Sequence, residues 1–81
     1  MSVDCYVVRG FGGEIVEWIS TSWYCFSEIF DPAEVYPVSF ALELLDKCET
    51  ADDEARKVIE KVMAEDNPPD VIGIWPQYNC E

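Results

Sequence analysis

The chain has 81 residues, and its 17 carboxylates against five basic side chains give a formal net charge of −12. Hydrophobic residues make up 49% of it, far too many for a disordered acidic tail. The sign of the charge argues against direct binding to DNA, RNA or an anionic membrane, because phosphate would be repelled.

A chain of this length makes one domain, 1–81, and buries only about 60% of the surface that its unfolded form exposes. A net charge of magnitude roughly 2–8 is enough to keep a small domain soluble. The larger excess here costs stability through self-repulsion, so it points to a basic partner, such as a nucleic-acid-binding protein or complex.

Val3 to Arg9 (VDCYVVR) is rich in β-branched and aromatic residues and predicts a strand. Gly10-Phe11-Gly12-Gly13 interrupts it, and Glu14 to Ser20 (EIVEWIS) resumes the same character, which together predict a β-hairpin. The glycine cluster lacks the spacing of a phosphate-binding loop and leads straight to Glu14, so it is read as a turn. Trp23 to Ser27 (WYCFS) is expected to add a third strand. Helical spacing of Ile15, Trp18, Ile19, Ser22, Phe26 and Ile29 is the competing pattern here; residue composition favours strands.

Tyr36-Pro37 bars any helix from running through it. Beyond it, Phe40, Ala41, Leu44, Leu45 and Cys48 form one helical stripe, with Ser39 placed to cap the first turn. Ala55, Val58, Ile59 and Val62 form a second, introduced by the cap-like Thr50-Ala51-Asp52-Asp53. A heptad phase running through 41, 44, 48, 51, 55, 58 and 62 also fits one long helix; the cap chemistry favours two. Asp70 to Trp75 (DVIGIW) returns to strand character, and Pro76 is expected to end it. The expected fold is α+β: a small antiparallel sheet of three to four strands packed against one or two helices of the C-terminal half.

The four cysteines, Cys5, Cys25, Cys48 and Cys80, form no Cys-x-x-Cys pair, and the chain has no histidine. No metal site and no cofactor are therefore expected. Met1-Ser2-Val3-Asp4 lacks the basic start of a secretory signal, and no stretch has the apolar length of a membrane span. The expectation is a cytoplasmic protein of the host cell with its cysteines reduced in the core. Without histidine, Ser-His-Asp and Cys-His nucleophile pairs are ruled out, and a non-enzymatic role is expected. A hydrolase acting through two carboxylates is the remaining catalytic reading, but neighbouring carboxylates arise by chance at this composition. The cluster Asp52-Asp53-Glu54 lacks the alternation and central glycine of a calcium loop and fits a helix start.

From Gly10 to Asp46 there is no basic residue. Glu14, Glu17, Glu28, Asp31 and Glu34 fall in that run and are expected to meet the partner's lysines and arginines, standing in for phosphates. Large rings are interleaved with them, and Trp23 and Phe30 are the expected anchors in the partner's pockets.

Tyr6-Val7-Val8-Arg9, Gly12-Gly13, Trp18 or Trp23, and Tyr36-Pro37-Val38-Ser39-Phe40-Ala41 follow an order that resembles small phage-encoded proteins. The acidic proteins of that type are similar to anti-CRISPR and anti-restriction inhibitors, several of which imitate DNA. That resemblance implies an inhibitor that occupies the nucleic-acid channel of a host defence complex. The alternative is an assembly or adaptor module, self-associating as a homodimer, suggested by the heptad phase and the aromatic content.

Overall fold

A computed structural model of the chain describes residues 2–48 and 53–79. Four antiparallel strands, β1 (Ser2–Arg9), β2 (Glu14–Ile19), β3 (Tyr36–Pro37) and β4 (Val71–Asn79), form one sheet in the order β2-β1-β4-β3. Two helices, α1 (Val38–Asp46) and α2 (Asp53–Met63), belong to the C-terminal half. The fold is the expected small α+β arrangement.

The glycine turn closes the β1–β2 hairpin, with Gly10 and Gly13 at positive φ. Opposite Val7 and Val8 the pairing jumps from Glu17 to Ile15, leaving Val16 as the extra residue of a bulge. The bulge resets the alternation along β2. Glu17 and Ile19 share the helix side of the sheet with Val7 and Cys5, whereas Ile15 and Trp18 share the other side with Val8 and Tyr6.

The core lies between the sheet and the helices. Cys5, Val7, Ile19, Ile72 and Ile74 from the strands meet Val38, Ala41, Leu45, Ala55, Val58 and Ile59 from the helices. Both predicted stripes supply these residues, although Phe40 of the first remains 43% exposed. Asp53 and Glu54 occupy the first turn of α2 and Lys61 its last, each complementing the helix dipole.

Three expectations are corrected. Trp23 to Ser27 is not a strand: Trp23–Cys25 is a 3-10 turn whose start is capped by the Ser22 side chain, which accepts from the Tyr24 amide. The coil continues, with Ser27 N–H donating to Trp23 carbonyl and Phe30 N–H to Phe26 carbonyl. Ser39 does not cap α1, because Pro37 holds the N-cap position and the Val38 amide donates to the Asp70 carbonyl. Pro76 does not end β4. The third strand pairs only with Val71 and Ile72, so beyond them one side of β4 has no strand partner among the described residues, a setting that tolerates proline. The expectation of two helices in place of one long one is met: α1 closes at Lys47, whose amide donates to Leu44 carbonyl. The proposed cap residues Thr50, Ala51 and Asp52, like Cys80, lie outside the described residues.

Candidate protein-binding surface

The segment between β2 and β3 starts at one edge of the sheet and ends at the other, since those two strands are the outermost of the four. On its way it packs across the helix side of the sheet. Trp23, Phe26 and Phe30, at 5%, 0% and 0% exposure, fasten it to the core. Their spacing is helical, three and then four residues apart, as the chain's turns require. Phe30 stands inside a run of ring contacts, 6.2 Å from Phe26 and 5.7 Å from Tyr36 between centroids. Tyr36 in turn meets Phe40 at 5.9 Å, and its hydroxyl accepts from the Asp31 amide at 3.1 Å.

That burial corrects the expected anchors. Trp23 and Phe30 hold the segment in place and present no ring to a partner. The exposed ring is the neighbour, Tyr24, at 73%. One turn on in the same coil stands Glu28, followed by Asp31 and Glu34, all three exposed. Tyr24, Glu28, Asp31 and Glu34 are thus the outward face of a segment whose inward face is Trp23, Phe26 and Phe30.

Glu14 and Glu17 are exposed on β2, at the opposite edge from β3. Glu17 lies 3.5 Å from the Lys61 ammonium of α2, so one of its oxygens already has a cation. Glu14 pairs in register with Arg9, whose guanidinium donates to Glu65 at 2.6 Å and to the Asn67 carbonyl at 3.2 Å. The five predicted carboxylates therefore divide into two groups, and sequence proximity concealed the division.

The remaining charge is superficial. Among the described residues no charged side chain is buried. Three of the basic residues are held in ion pairs: Arg9 with Glu65, Arg56 with Asp46, and Lys61 with Glu17. The Ser20 amide and hydroxyl both donate to Glu54, tying the end of β2 to the start of α2. A groove of about 200 Å³ lies beside this tie, lined by Glu17, Glu54, Lys57, Val58 and Lys61. It is smaller than the roughly 300–1,000 Å³ of ordinary ligand pockets, and its mixed charge favours no ligand class.

The cysteines Cys5, Cys25 and Cys48 are thiols. Cys5 is fully buried and donates to the Thr21 carbonyl at 2.8 Å, and Cys48 donates to the Cys25 carbonyl at 2.8 Å. Among the described residues, no group of three or more Cys, Asp or Glu is placed to hold a metal ion. Nor is any described helix long and apolar enough to cross a membrane.

No protein-family model, curated protein or solved structure matches this chain.

Proposed function

We propose that this protein is a non-catalytic inhibitor that binds a basic, nucleic-acid-handling protein of a host defence complex and blocks its nucleic-acid channel. The observation that carries this reading is the outward face of the 21–35 segment. It presents Tyr24, Glu28, Asp31 and Glu34, all exposed, from a stretch of the chain that has no basic residue. A net charge of −12 with no described charge buried makes the molecule a polyanion in its long-range field. Such a field steers it towards surfaces built for phosphate and raises the association rate at low salt. Tyr24 supplies apolar contact area that a nucleic-acid backbone lacks, the kind of ring that dominates protein interfaces.

The two-group arrangement of carboxylates gives the contact a shape. Glu28, Asp31 and Glu34 belong to one segment fastened by three buried rings, so their backbone positions are set before binding and little ordering entropy is lost. Glu14 and Glu17 extend the field around the other edge, with Glu17 partly neutralised by Lys61.

The test is capture from bacterial lysate on the immobilised protein at low and high salt, with bound proteins identified by mass spectrometry. Recovery of a nucleic-acid enzyme at low salt, released by added DNA, is the expected result. Recovery that resists both salt and DNA, or no recovery, contradicts the reading.

A further inference from the structure

The helices cover only one side of the sheet. On the other, Tyr6 is directly opposed to Trp18 on β2 and to Trp75 on β4, so three aromatic residues stand in one row of the register across three strands, with the Trp75 ring turned towards Gly73 and Gly13. Neighbouring strands lie about 4.8 Å apart, so the row spans roughly 10 Å. Trp18 and Tyr6 meet edge to face at 5.0 Å. Trp75 is pinned by its indole N–H, which donates to the Glu34 carbonyl at 2.9 Å. On the same side, Val8 is fully buried, while Ile15 and Trp18 remain 47% and 49% exposed. Large apolar side chains so grouped on one face mark a contact surface.

Charge decides what occupies it. Exposed rings on a sheet face also suit nucleobase stacking, but the attached phosphates would meet a −12 protein. A second copy would bring −12 against −12. A planar cation satisfies both features, since a guanidinium stacks on tryptophan and is drawn by the surrounding carboxylates. Two acidic residues border the row: Asp4, exposed two residues before Tyr6 on the same side of β1, and Glu34, whose backbone holds Trp75.

We infer that this sheet face is a second contact surface, taking an arginine-bearing segment of the partner with its guanidinium over Trp18. The inference rests on the proposed basic partner but, Glu34 apart, uses residues separate from the acidic 21–35 segment. Glu34 joins the two surfaces, with its carbonyl on Trp75 and its side chain exposed beside the acidic run. A single partner thus meets carboxylates from one direction and rings from the other.

The probe is a nine-residue oligo-arginine peptide, with oligo-lysine of equal length as comparison, titrated into the ¹⁵N-labelled full chain. The three indole N–H signals, assigned through single Trp→Phe variants, report position. The Trp18 signal is expected to move with oligo-arginine and much less with oligo-lysine, while the buried Trp23 signal stays in place. Trp18→Ala is expected to weaken oligo-arginine binding about 3- to 30-fold, with an unmoved Trp23 signal showing that the fold persists. Equal affinity for Trp18→Ala, with shifts confined to Tyr24, Glu28 and Asp31, overturns the inference and leaves the acidic surface standing. A Trp18 signal that moves on concentrating the protein without peptide overturns it in favour of a second copy. Absence of any peptide binding overturns both readings.

Discussion

The ring of Trp75 lies where a side chain on Gly13 would be: a Cβ built there stands 2.6 Å from the ring, at a φ of +68°. The hairpin turn and β4 are thereby locked together on the outer face of the sheet. Gly13→Ala meets both a left-handed backbone and a rigid ring, and is expected to cost about 2–4 kcal/mol. Gly10, with φ +67° and open space, is expected to cost about 1–2 kcal/mol on replacement by alanine, and Gly12 less than about 0.5. Urea denaturation of the three variants checks the order.

Burial of the two rings expected to be anchors yields a second set of outcomes. Trp23→Ala and Phe30→Ala empty core positions and are expected to lose about 3–5 kcal/mol each. Tyr24→Ala and Phe11→Ala remove exposed rings and are expected to change stability by less than about 0.5 kcal/mol. Denaturation midpoints measured side by side separate fasteners from contacts. Tyr24→Ala with unchanged stability and weakened partner binding is the pattern the proposed function requires.

Salt has opposing effects here, and magnitude decides between them. Three ion pairs at partly exposed sites contribute little, about 0–1 kcal/mol each, and salt weakens them. Self-repulsion from a net charge of −12 is spread over the whole surface, and salt weakens that too. The second effect is the larger, so the melting temperature is expected to rise by several degrees between about 0.01 and 0.5 M sodium chloride. Scanning calorimetry at the two concentrations tests the sign; a fall means the ion pairs dominate.

Thiol reactivity follows burial. Cys5 is fully enclosed and bonded to the Thr21 carbonyl, so a maleimide reagent is expected to modify it only after unfolding. Cys25 is half-buried and is expected to react in the native protein on a much shorter timescale. Peptide mapping of labelled protein resolves the sites. Native-state labelling of Cys5 at the rate of Cys25 contradicts the packing described.

Local chemistry was legible wherever it acted alone. The β-branched runs gave β1 and β2, the glycine cluster gave their turn, and the spacing of Ala55, Val58, Ile59 and Val62 gave the buried stripe of α2. The apparent helical pattern of Ile15 and Trp18 has a different cause. The bulge at Val16 puts residues three apart on one side of the sheet, which imitates a helical repeat. Real helical spacing lay one step along, in Trp23, Phe26 and Phe30, where Ser22 as a cap was the available signal. Pro76 misled because a proline's cost depends on whether its strand has a neighbour on both sides, which is a fact of topology. The same holds for the carboxylates. Glu17 and Glu28 are eleven positions apart, yet the segment between them leaves one sheet edge for the other, and only the pairing of β4 between β1 and β3 reveals it.

Reversing the outward charges on the fastened segment tests whether that surface meets the basic partner. The Glu28→Lys/Asp31→Lys/Glu34→Lys variant is compared with the unaltered chain for affinity to the captured partner across a series of salt concentrations. The proposed contact requires a sharp loss of affinity at low salt and a flatter salt dependence, with the urea midpoint unchanged or raised. Equal affinity and an equal salt slope in the two proteins would contradict it.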